Sequence, residues 1–97
     1  MIVAISVVDL HIPAACSLKD KRRVVRALMD KIHQRYRVSV AETDFHDLHQ
    51  RAEFGIAAVH GSQAQAEKLM AGIQVLIEQT PEAQLLAWEP EYLEPIR

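Results

Sequence analysis

Cysteine is almost missing from this 97-residue chain, where Cys16 stands alone. One thiol cannot form an intrachain disulfide, so a disulfide-stapled secreted domain is excluded and a reducing, cytoplasmic setting is the expectation. Glycine is nearly as scarce. Gly55, Gly61 and Gly72 are scattered, which leaves no glycine-rich loop to cradle a nucleotide phosphate. The aromatic residues are Tyr36, Phe45, Phe54, Trp88 and Tyr92. A sheet that stacks single-stranded bases needs exposed aromatics on its central strands, and assigning Phe54 to the core argues against that mode. No apolar run is long enough to span a bilayer. The opening stretch "MIVAISVV" lacks a basic leader and soon meets Asp9 and His11, so neither a targeting signal nor a membrane partner is expected. Internal repeats beyond a β-α-β duplication, and low-complexity segments, are also absent.

What remains is the composition of a single globular domain over 1–97, long enough to bury a modest core. Its net charge of −2 hides a strong asymmetry. Residues 19 to 37 hold eight of the eleven Lys and Arg and carry a net +6, whereas residues 38 to 97 carry −7. Such a dipolar chain can offer one face to a polyanion while its pI stays mildly acidic.

β-Branched residues over 2–12 predict a strand, apolar at the start of both faces. Ser17, with Asp20 three residues on, reads as a helix start. Leu18, Val25, Leu28, Met29, Ile32 and Tyr36 then recur at helical spacing and predict a helix over 18–36. Short strands follow over 38–43 and 52–60, separated by a polar turn at 44–50. In the second of them, Phe54, Ile56 and Ala58 share the core face. Ser62 and Gln65 form a capping box ahead of a second helix that runs to about Gln79. A last strand over 83–93 contains Pro90, which suits only an edge position. The order β-α-β-β-α-β predicts an α+β, ferredoxin-like sandwich, with a four-stranded antiparallel sheet and two helices on one face. Val3, Ile5, Val7, Gly55, Ala57 and Val59 then fall on the other face. A face that apolar calls for a cover, and a second copy making a homodimer is the simplest.

Three stretches carry a resemblance: Ser17-Leu18-Lys19-Asp20-Lys21-Arg22, Val38 to Glu42, and Gln50 to Val59. With them the chain resembles the YlxP-like family of small bacterial proteins of unknown function over nearly its whole length. The resemblance implies a small ferredoxin-like domain, encoded near translation and ribosome-maturation genes. It brings no reaction, ligand or catalytic residue. The chain departs from the family's pattern at His49, where relatives commonly carry an aromatic residue, usually Trp.

The stretch "LKDKRRVVR" at 18–26 is the most distinctive in the chain. On the predicted helix, Lys19, Arg22, Arg23, Arg26, His33 and Arg37 form a stripe away from Leu28 and Ile32, flanked by Lys21, Lys31 and Arg35. A solvated face explains many such stripes. Here, however, Lys19, Lys21 and Arg22 occupy the first turns, where the helix dipole is already positive and each cation costs a few tenths of a kcal/mol. A helix start with clustered cations is also a natural phosphate site. Lys19, Lys21, Arg22, Arg23, Arg26 and Arg37 are therefore the candidate nucleic-acid contacts. Structured RNA or a ribosomal subunit is the candidate partner, and no enzymatic activity is expected. The turn residues Asp44, His46, Asp47 and His49 include metal-ligating types, but a polar turn explains the same spacing. No cofactor, metal or small-molecule ligand is expected. An enzyme reading would need a concave pocket beside His46, Asp47, His49 and Arg51.

Overall fold

In the computed structural model, which describes residues 1–95, seven elements follow one another. They are β1 (Ile2–His11), α1 (Leu18–Tyr36), β2 (Ser39–Asp44), β3 (Arg51–His60), α2 (Gln63–Glu78), β4 (Gln84–Trp88) and β5 (Glu91–Leu93). Positions 96 and 97, the end of the expected 1–97 domain, lie outside the described residues.

The strands pair antiparallel in the order β2-β3-β1-β4, with β5 also on β1. Both helices pack on one face, which is the expected α+β ferredoxin-like arrangement. One detail differs from the expected four-stranded sheet: the final strand is broken, giving five. Trp88 pairs with Val8 and Glu91 with Ile5, so the register continues unchanged across Glu89 and Pro90. Pro90 has no N–H to give to the ladder, and pairing lapses there. The sequence had placed this proline on an edge, and β4 is the edge.

Alternation along the strands sorts the two faces of the sheet. Ile2, Ala4, Val8 and Leu10 of β1, and Ala52, Phe54, Ile56 and Ala58 of β3, are buried under the helices. They meet Val24, Val25, Leu28 and Ile32 of α1 and Ala66, Met70, Ile73, Leu76 and Ile77 of α2. Each large aliphatic or aromatic side chain fully buried here is worth about 1.5–3 kcal/mol against exposure.

The helix ends follow the local chemistry read from the sequence. Ser17 Oγ accepts from the Asp20 N–H at 3.1 Å, and Asp20 Oδ2 accepts from the Cys16 N–H at 3.0 Å. The carboxylate thus reaches one residue further back than in a standard capping box. Ser62 Oγ caps α2 by accepting from the Gln65 N–H at 3.3 Å. At its C-terminus α1 turns into the left-handed region at Arg37 (φ 54°), whose N–H donates to the His33 carbonyl at 2.8 Å. His33 Nδ1 lies 2.7 Å from the Val38 carbonyl, so that nitrogen carries the proton.

Candidate nucleic-acid interface

Helical geometry separates α1 into two rows. Lys21, Val24, Val25, Leu28 and Ile32 are buried toward the sheet. Lys19, Arg22, Arg23, Arg26 and Arg37 are exposed, and none makes an ion pair among the described residues. The 19 residues of α1 extend about 28 Å; Lys19, Arg22, Arg23 and Arg26 lie along its first half and Arg37 stands just past its end. Lys31 and Arg35 are exposed as well, and the Arg35 guanidinium sits 5.6 Å from the centre of the Tyr36 ring. Of the two acids on the helix, Asp20 is engaged in the cap. Arg23, Lys31 and Arg35 also border a cleft between α1 and the Thr80–Glu82 turn.

Lys21 does not belong to this surface. Its place in the sequence sets it beside the cationic stripe as an expected contact residue, but it is 1% exposed. Its Nζ donates to the carbonyls of Phe45 (2.7 Å), Arg51 (3.2 Å) and His46 (3.4 Å). An ammonium has three protons, and three carbonyl oxygens receive them, which is what makes burying the charge tolerable. Lys21 therefore pins the 44–51 connection to the first turn of α1 and is unavailable to any external partner. The sequence held a signal for this: Lys21 stands four residues before Val25 and seven before Leu28, on the buried row.

The same end of the molecule gathers the other residues of the two motif stretches. Gln50 Nε2 donates to the Pro13 carbonyl at 3.1 Å and to that of Ala15 at 3.3 Å, while Ile12 N–H donates to the Gln50 carbonyl at 2.9 Å. Arg51 Nη2 reaches both oxygens of Asp9, at 3.0 and 2.9 Å, and its guanidinium lies 4.6 Å from the centre of the Phe45 ring. Phe45 itself adopts φ 59°, a costly conformation for a bulky residue. The Lys21 bond to its carbonyl and the Arg51 stack hold it there.

The turn side chains do not converge. His46 Nε2 is 3.5 Å from Glu42 Oε1, and Asp44 Oδ1 accepts from the Phe45 N–H at 2.7 Å. Among the described residues no three His, Cys, Asp or Glu side chains group closely enough to hold a metal ion. His46, Asp47, His49 and Arg51 line neither the cleft beside α1 nor the large trough on the opposite face. Among the described residues no helix is long and apolar enough to cross a membrane.

That trough, about 700 Å³, lies on the bare side of the sheet. The strand register arranges its floor in rows. Ser39, Ala57, Ile5 and Glu91 form one, and Ala41, Gly55 and Val7, continuing toward Glu89, form the next. Glu53 and Asp9 begin a third, with Ala87 beyond them. Small residues make the hollow, and every charged residue lining it is an acid: Asp9, Glu53, Glu89 and Glu91.

These features define a class: a small ferredoxin-like α+β domain with a cationic helix face and an uncovered sheet face. The chain belongs to the family described as Protein of unknown function (DUF503), whose model matches residues 3–90. It is 38% identical over 68 residues to the Uncharacterized protein YlxP of Bacillus subtilis (strain 168), across 70% of this chain and 74% of that protein. The solution NMR structure of a de novo designed protein with ferredoxin fold aligns with 100% of this chain and 88% of its own. The identity is 14% and the TM-score 0.46. Neither the family's description nor the relative's name carries a function.

Proposed function

We propose that this protein is a non-enzymatic, cytoplasmic accessory factor that binds the phosphate backbone of structured RNA, free or within a ribosomal subunit, through the outer face of α1. The observation that carries this reading is the exposed row Lys19, Arg22, Arg23, Arg26 and Arg37, free of ion pairs among the described residues. Guanidinium forks match phosphate oxygens in pairs, and Lys19 adds a point charge where the first N–H groups of α1 already favour an anion. Recognition would be of backbone and shape, because the central strands β1 and β3 present no exposed aromatic on which a base could stack.

Reversing two charges at the centre of the row tests this. Arg23→Glu/Arg26→Glu is expected to lower affinity for a structured RNA by roughly a hundredfold at moderate salt, since two attractions become repulsions. Both positions are exposed, so stability should change by no more than about 0.5 kcal/mol. Fluorescence anisotropy with a labelled RNA hairpin and with purified small ribosomal subunits reads the affinity. Undiminished binding by the double variant would leave the row a solvated helix face.

A further inference from the structure

The trough on the bare side of the sheet has an apolar floor and an acidic border, and no Lys or Arg among its lining residues. Its acids are not equally occupied. Asp9 is held by Arg51, and Glu53 accepts from the Thr43 hydroxyl at 2.7 Å. Glu89 and Glu91 are exposed and have no side-chain partner among the described residues. They flank the break at Pro90, beside exposed Val7. Apolar area this open needs a cover, and the charges decide its chemistry.

A second copy seated face to face would stack two hollows bordered by acids alone, with no Lys or Arg on either lining to meet Glu53, Glu89 and Glu91. Such like-charge juxtaposition disfavours the symmetric homodimer that the apolar face alone suggests. A second copy seated by its cationic helix would bring little apolar surface, because Val24, Val25, Leu28 and Ile32 of α1 are buried in its own core, and that head-to-tail contact closes only if its rotation forms a ring. A different protein whose apolar stripe is flanked by Lys or Arg meets neither obstacle.

We propose that the trough is the docking site for a cationic amphipathic helix of a partner protein. The apolar stripe of that helix lies over Ile5, Val7, Gly55 and Ala57, with its basic flanks against Glu89 and Glu91. The small side chains of Ala41, Gly55 and Ala57 let a helix of about 10 Å diameter approach the sheet closely. A helix there turns the two-layer sandwich into a three-layer one, with both faces of the sheet covered. This inference is independent of the RNA reading, because it rests on the opposite face.

The test uses the full chain and two synthetic helical peptides, one built of Leu and Lys and the other of Leu and Glu in the same amphipathic pattern. Calorimetric titration should show the Leu-Lys peptide binding at one site and the Leu-Glu peptide not binding. Ala57→Arg, at an exposed position on the trough floor, should abolish that binding without loss of fold. Glu89→Lys/Glu91→Lys should weaken the Leu-Lys peptide at least about tenfold and admit the Leu-Glu peptide. Equal binding of both peptides, binding of neither, or Leu-Lys binding unaffected by Ala57→Arg would overturn the proposal. So would a dimer in sedimentation that Ala57→Arg dissociates, since it would assign the face to a second copy.

Discussion

The outer face of α1 and the bare face of the sheet lie on opposite sides of one core, and each meets solvent differently. On α1, long cationic side chains stand over a row of buried aliphatics. On the sheet, small side chains leave a hollow, and the charges at its border are carboxylates. A net charge of −2 averages the two and describes neither. The difference shows that charge here is sorted by face, so the two surfaces should respond differently to salt. Contacts made by the α1 cations to phosphates are screened and exchanged for counterions. A contact over the apolar floor of the trough keeps its desolvation energy when salt rises.

Lys21 belongs by sequence to the cationic stretch and by position to the core. Lys21→Met should destabilise the fold by about 3 kcal/mol, since three carbonyls lose their donor and the chain at Phe45 loses its restraint. Urea unfolding would show a lower midpoint. The folded fraction should keep its RNA affinity, in contrast to the charge reversals at Arg23 and Arg26. Arg51→Met probes the sheet side. One Arg51 nitrogen, Nη2, reaches both Asp9 oxygens and the pair is partly exposed, so its loss should cost about 1 kcal/mol, read as a modest drop in Tm.

Arg37→Gly separates charge from fold most sharply. Arg37 occupies the left-handed region at φ 54°, which glycine adopts without strain, so stability should rise by about 0.5 kcal/mol. RNA affinity should fall about three- to fivefold in the same variant, through loss of one phosphate contact. The smallest effect is expected at Tyr92. Burial first, and the Glu67 charge second, raise its pKa above the ordinary tyrosine value of 10.0. A raised pKa makes the neutral phenol the form the fold prefers. That contribution is intact below pH 10 and lost as pH rises through the folded-state value. Tyr92→Phe should therefore lessen the decline in stability above pH 10, measured by urea titration at several pH values.

The sequence made the layout legible wherever local chemistry decided it. Ser17 and the aliphatic period fixed α1 at 18–36, and Pro90 marked the edge strand and, in the structure, its break. The face carrying Ile5, Val7, Gly55 and Ala57 was visible from strand alternation alone. Asp9 and Glu53 fall on it by the same alternation, but Glu89 and Glu91 reach the trough only through the pairing of β5 with β1 and the alignment of β4 beside it. Lys21 was misread for a related reason. A lysine is assigned to solvent by type, and the carbonyls that hold it lie 24, 25 and 30 residues away. Helical periodicity alone sets Lys19, Arg22, Arg23 and Arg26 on the exposed side of α1, whereas Arg37 is exposed as the left-handed residue that ends it.

Whether the outer face of α1 grips phosphates is read from the salt dependence of RNA binding. With five contacts, log K against log[salt] should fall linearly with a slope of roughly −3.5 to −4.5 for the natural protein. The slope should be unchanged in Ala57→Arg, which alters the other face. Affinity that does not vary with salt, or a slope that Ala57→Arg alters and Arg23→Glu/Arg26→Glu does not, would rule out a phosphate grip by α1.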